Sequence, residues 1–490
     1  MTARQHAAVA LIAAAALGLA GCGGDAPTTE PVPAAEHATV LSEQDGSLSA
    51  AAATRFFRSS PAAVVADGAD PSAVRAGGDV AARRGIPLLT VGPRTQRAVY
   101  TALARLGVAV VYTAGAVALP ELQATGVTVS ALPPGTAVPE DGLSHPRIAD
   151  GAKDSVVLAT STTDAGAVAT ARAAGAQILT LPGPDPRSSA ATTTTLHGGD
   201  RPVVALGAVF GTGGQLAQRI RQAAEPSQLF GGGHIVFPGR RYVALYGVPG
   251  TPALGVLGQQ DLAASIARVK KLAAQYAPLS NEPVVPAFEI IASVASSAPG
   301  PDGQYSSMTP VAQLEPWVRA AQDAGVYVTL DLQPGRTDFL TQAKAYAPLL
   351  ALPNVGLALD PEWRLKPNQV HLQQIGTVDP AEVNRVQDWL AGLVRDRGIP
   401  QKVLVLHQFT PFMLGDRAAI ATDHPELALV VHTDGHGTPG IKMGTWDRVR
   451  AGLSPHMFLG WKNFYTEDSP TFSPAQTMAL RPQPVFVSYQ

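Results

Sequence analysis

At 490 residues and 46% hydrophobic content the chain can bury several cores, and its length suggests roughly two to four domains. Its 36 basic and 38 acidic residues leave a formal net charge of -2, so there is no basic field for a polyanion and nucleic acid is not an expected partner. With 48 Gly, 42 Pro and only 15% charged residues, the composition favours long loops and close helix contacts over coiled coil.

Residues 1–22 read as an export signal: Arg4 in a short n-region, an apolar core from Ala7 to Leu19, then Leu19-Ala20-Gly21-Cys22. The core is too short to span a membrane. The segment resembles a bacterial lipoprotein signal, whose lipobox ends in Cys. That resemblance implies a lipid on Cys22, which becomes the mature N-terminus, and anchoring on the extracytoplasmic face of the cell membrane. The alternative is an ordinary secretory signal with an incidental Cys. Cys22 is the only cysteine, so the chain can form no internal disulfide. Residues 23–50 lack periodicity and predict a flexible linker.

Residues 51–230 carry a weak internal repeat. Strand-like Ala62–Gly68, an Ala-rich helix from Ser72 to Arg84, and strands at Ile86–Val91 and Val108–Tyr112 form one unit. Asp154–Thr160, a helix over Gly166–Ala174, and strands at Gln177–Leu181 and Pro202–Leu206 form the second. Strands alternating with helices predict parallel, Rossmann-like sheets with right-handed crossovers. Ala53-Thr54-Arg55-Phe56-Phe57, Ala66-Asp67-Gly68, Ala81 to Thr90, Leu106-Gly107 and Val111 to Gly115 together resemble the cell-wall-binding repeats of Gram-positive surface proteins. The resemblance implies association with a cell-wall polymer; Ala116 stands where that family has a second Gly. The alternative is a generic doubly wound region with no ligand. Gly211 and Gly213 could open a dinucleotide fingerprint, but Leu216 occupies the third glycine position, so no nucleotide site is read.

Residues 240–490 show eight strand-like runs: Tyr242–Tyr246, Val284–Ile291, Val326–Leu332, Val355–Leu359, Lys402–His407, Leu427–His432, Met457–Trp461 and Val485–Tyr489. Helices fall between them. Asp379-Pro380-Ala381-Glu382 predicts an N-cap, Pro at N1 and Glu at N3; Asp261, Thr309-Pro310 and Ser473-Pro474 mark further starts. This pattern predicts a (β/α)8 TIM-type barrel lacking its last helix, because Gln490 follows the eighth strand directly.

In such a barrel the carboxyl ends of the strands line one rim. They supply Tyr246, Glu289, Asp331, Gln333, Asp360, Glu362, Trp363, His407, Gln408, His432, Asp434, His436, Trp461, Lys462, Tyr465 and Tyr489. Val355-Gly356-Leu357-Ala358-Leu359-Asp360-Pro361-Glu362 ends an apolar run in two acids of one parity, whose repulsion would raise one pKa and suit Glu362 to proton donation. This stretch resembles the fourth-strand signature of family 18 chitinase-like glycosidases: Gly356, Asp360 and Glu362 match, whereas Val355 and Ala358 stand where that family has Asp. The plain alternative is that Asp360 only caps the turn before Pro361 and Glu362 pairs with Arg364 or another nearby base.

Three chemistries fit the rim. In the first, Glu362, Asp360 and Asp434 are catalytic acids of glycan hydrolysis. Glu289, Asp331, Gln333, His407, Gln408, His432, His436 and Lys462 then bind substrate, with Trp363, Trp461, Tyr465 and Tyr489 as stacking platforms. Asp434, Glu467 and Asp468 are the candidates to face Glu362, at about 5 to 9.5 Å. In the second, His432, Asp434 and His436 form the ligand set of a metal-dependent hydrolase. In the third, the barrel binds a wall or extracellular glycan without turning it over. The preferred reading assigns no metal and expects no cofactor.

Overall fold

In the computed structural model the residues described are 38–123, 126–132, 145–197, 201–225 and 227–490. The signal segment and Cys22 lie outside them.

The stretch 23–50 is not a linker throughout. Ala38–Leu41 (β1) is a strand, and Leu48–Phe56 (α1) is a helix whose N-cap Ser47 accepts from the amide of Ala50. Ala50 to Ala53 are all buried. Their small side chains, which look like linker composition, allow the close helix contacts of a central element. Strands Ala62–Asp67 (β2), Leu88–Val91 (β3), Val110–Ala114 (β4) and Thr128–Ala131 (β5) form a parallel sheet ordered β3-β2-β4-β5. Val156–Thr160 (β6), Gln177–Leu181 (β7) and Val203–Leu206 (β8) form a second parallel sheet, ordered β7-β6-β8-β1. After the second sheet, Thr212 builds a capping box with Gln215, and Leu216 is buried in the core as an ordinary helix residue.

The C-terminal part is a closed barrel of eight parallel strands: Arg241–Gly247 (β9), Val284–Ala295 (β10), Tyr327–Leu332 (β11), Val355–Leu359 (β12), Lys402–Gln408 (β13), Leu427–Thr433 (β14), Phe458–Asn463 (β15) and Phe486–Tyr489 (β16), with β16 pairing back to β9. Helix Pro380–Arg397 (α2) starts at its Asp379 cap as expected, and Ser473 forms a capping box with Gln476. The connection from β13 to β14 departs from the expected pattern. Two short 3-10 turns, Pro411–Leu414 and Arg417–Ala419, stand where a helix belongs, because Pro411 and a positive-φ Gly415 interrupt the segment.

Inside the barrel, the period-two alternation of each strand sorts side chains into layers. Tyr242, Ala287, Tyr327, Ala358, Val405, Val430 and Phe486 fill the lower interior, closed from below by Leu229, Val236 and Phe237. Gly356 must be glycine here: a Cβ would lie 2.7 Å from the Val403 carbonyl and 2.9 Å from the Tyr327 hydroxyl. Gly460 likewise makes room for His432, whose Cδ2 would be 2.5 Å from a Cβ. The α/β region contacts the end opposite the rim. Arg187 donates to Gln222 and to the Pro425 carbonyl, and buried Glu426 just before β14 accepts from Gln218 and Gln222.

Candidate active site

Two residues above the apolar layer, the same inward alternation delivers ionisable groups. Tyr246, Glu289, Asp331, His407, His432, Lys462 and Ser488 project from seven of the eight strands already named, and Asp360 follows the eighth. Each follows by parity from an inward residue below it: Ala244 to Tyr246, Ala287 to Glu289, Val405 to His407, Val430 to His432.

His407 is the centre, fully buried. Its Nε2 lies 3.0 Å from Glu289 Oε1 and 3.8 Å from Asp331 Oδ1, while its Nδ1 lies 3.1 Å from Asp434 Oδ2. Carboxylates on both ring nitrogens require both to carry protons, so the ring is an imidazolium. Burial opposes that charge, but Glu289 and then Asp331 outweigh it and hold the imidazole well above its usual value. The effect is mutual. Burial would raise Glu289, yet His407 brings it down to about 2, and the hydrogen bond from His407 likewise overcomes burial to lower Asp434. His432, packed edge-on 5.0 Å from His407 and hydrogen-bonded through Nε2 with Ser488, is driven by burial down to about 3 and stays neutral.

The other acids go the opposite way. Burial raises Asp331 to about 6, although Tyr246 donates to its Oδ2 at 3.0 Å. Burial and the neighbouring Glu362 hold Asp360 well above the carboxylate range. Glu362, half-buried, is pushed to about 7, first by burial and then by the charge of Asp434.

Above this layer opens a cavity of about 510 Å3 whose wall includes Tyr246, Gln333, Glu362, Trp363, Asp434, His436, Arg448, Lys462 and Phe464. Glu362 reaches it because Pro361–Trp363 turns as a 3-10 helix, so Asp360 and Glu362 do not continue an extended strand as their spacing suggested. Asp360 makes no capping hydrogen bond. Nor does Arg364 pair with Glu362; it binds Glu382 at 3.0 Å. Glu382, expected at N3 to serve its own helix start, also accepts from the Phe339 amide, and so clamps the turn.

Several expected site residues lie elsewhere. Gln408, Trp461 and Tyr489 have the outward parity of their strands. Gln408 donates to the Pro411 carbonyl, Trp461 stacks on Phe472 at 5.2 Å, and Tyr489 bonds Tyr276 at 2.6 Å. Tyr465 is 43% exposed but packs on Tyr489 outside the cavity. His436 lines the cavity beside Phe464, whereas His432 is buried below it, so the expected metal set does not come together. Among the described residues no group of three or more His, Cys, Asp or Glu is arranged to hold a metal ion. Of the acids expected to face Glu362, only Asp434 lines the cavity. Asp468 is buried against Lys442 at 2.6 Å, and Glu467 is exposed. Sequence reasoning missed Arg448 and Ser488; the parity of Ser488 with Phe486 was the available signal for the latter.

No family model matches the chain. No curated protein matches it either.

Glu362 holds its proton more tightly in the folded protein, at about 7, than at the ordinary 4.5. Its contribution to stability is thus complete below the unfolded value and is lost as pH rises through the folded one. Glu362→Gln keeps a neutral side chain throughout. The stability of the native protein relative to this variant should fall as pH is raised from about 4.5 to 8, measured by urea unfolding. A difference that does not change with pH would contradict the raised carboxyl.

Proposed function

We propose that the chain is a lipid-anchored, extracytoplasmic lipoprotein that associates with the cell wall through residues 51–230 and hydrolyses a glycan in the barrel cavity. The observation that carries the hydrolase reading is the pairing of two unlike carboxyls in one cavity wall: Glu362, raised to about 7, and Asp434, lowered by its bond from His407. Glycosidic hydrolysis needs that division, one acid kept protonated and one kept charged.

In this reading Glu362 gives its proton to the leaving glycosidic oxygen as that bond breaks. Asp434 stabilises the positive charge developing on the sugar. Water adds its oxygen to the anomeric carbon, and its released proton restores Glu362. His407 is a positioning residue: its imidazolium keeps Asp434 ionised and takes no part in bond cleavage. Gln333 and Trp363, on the same wall, are suited to hydroxyl and ring contacts with the sugar.

Wall association rests on the resemblance of residues 51–115 to cell-wall-binding repeats, and the common core order of the two parallel sheets, β3-β2-β4 and β7-β6-β8, supports reading them as two copies of one unit. Among the described residues no helix is long and apolar enough to cross a membrane, and the anchor in this reading is the lipid on Cys22.

Two outcomes are expected. Glu362→Gln should lower turnover of wall glycan by the mature protein about 10²- to 10⁴-fold, assayed by release of reducing ends, and equal rates would remove Glu362 from the mechanism. Cys22→Ala should move the protein from the membrane fraction to the soluble one; retention would mean a different anchor.

A further inference from the structure

Lys462 differs from the other ionisable groups of the barrel. It projects inward from β15, is only 4% exposed, and lines the cavity. Its ammonium sits 3.5 Å from the centre of the Tyr246 ring and 5.2 Å from that of Phe464. Among the described residues its Nζ makes no hydrogen bond, and no carboxylate lies within ion-pair distance. Glu289 and Asp434 are engaged by His407, and Asp468 by Lys442.

A buried ammonium needs hydrogen-bond acceptors, and stacking on an aromatic face supplies none. Lys462 therefore brings its Nζ to the cavity surface with its donors free. Arg448 lines the same cavity. It is exposed, donates to Thr445 Oγ1 at 3.0 Å, and has no acidic partner among the described residues. An ammonium and a guanidinium thus share the cavity wall with two acidic side chains: Asp434, which is hydrogen-bonded to His407, and Glu362, held up to about 7.

We infer that Lys462 and Arg448 form an anion-binding subsite, and that the glycan taken by the barrel carries a carboxylate on or next to the sugar held there. This inference rests on the glycan reading of the cavity. The carboxylate would accept from Lys462 Nζ and from the guanidinium, which suits two coplanar oxygens. Neutral glycans leave both cations without an acceptor, so the pair selects for charged sugars.

The test uses the Glu362→Gln protein, in which binding is separated from turnover. The probes are peptide-free peptidoglycan strands bearing free lactyl carboxylates, hyaluronan oligosaccharides bearing uronates, and the same two glycans with their carboxylates reduced to alcohols. Calorimetry should show at least one carboxylated probe binding about ten-fold or more tightly than its reduced form. Lys462→Met and Arg448→Met should each narrow that gap, with thermal unfolding confirming that both variants remain folded. Equal binding of carboxylated and reduced forms would overturn the anionic subsite and leave the glycan reading intact. Binding of none of the four would overturn the glycan reading and the subsite with it. A preference unchanged in both variants would place the anion's partner elsewhere.

Discussion

A positive charge at the centre of a closed barrel organises the site. His407 is buried, so its imidazolium is tolerable only with anionic acceptors on both nitrogens, and Glu289 and Asp434 provide them. The same two contacts settle which acids are charged. Glu289 and Asp434 share the cation and ionise; Asp331, Asp360 and Glu362, lacking such a hydrogen bond from His407, are raised. Five carboxyls therefore reside in one barrel mouth without all being charged at once. The division between a protonated Glu362 and an ionised Asp434 is a consequence of where the imidazole sits.

That placement depends in turn on packing below. Tyr242, Tyr327 and Phe486 fill the lower interior, with rings of the first two 4.6 Å apart. Gly356 and Gly460 give up side-chain volume so that Tyr327 and His432 fit. His432, neutral and held by Ser488, then forms one side of the pocket for the His407 ring. The apolar layer thus fixes the height and angle of the charged one. On the far end, contacts such as Arg187 with the Pro425 carbonyl join the α/β region to the barrel away from the cavity, leaving the rim open.

Much of this architecture was legible in the sequence. All eight barrel strands lie where their apolar runs predicted, Val355–Leu359 to the residue, because parallel strands buried on both faces are nearly uniform in hydrophobicity. The α1 helix was hidden because its alanines lack an amphipathic period. Site membership was legible only in part. Reading the rim as everything polar or aromatic at a strand end placed Gln408 and Trp461 beside His407 and Lys462, and took Tyr489 in place of Ser488, although adjacent residues of a strand face opposite ways. Strict use of parity separates them. What parity could not reach was beyond the strands: the 3-10 turn that carries Glu362 into the cavity, the long-range clamp of Arg364 by Glu382, and Arg448 arriving from a helix. These depend on tertiary contacts with no local signature.

The protonation state of His407 tests the account most directly. Nitrogen-15 NMR of the histidine rings should show both nitrogens of His407 protonated in the resting protein at about pH 8, well past the point where an ordinary imidazole has lost its charge. A neutral ring there, titrating near 6.5 like an unperturbed histidine, would contradict it: Asp434 would lose its charged donor, and the contrast with Glu362 its physical basis.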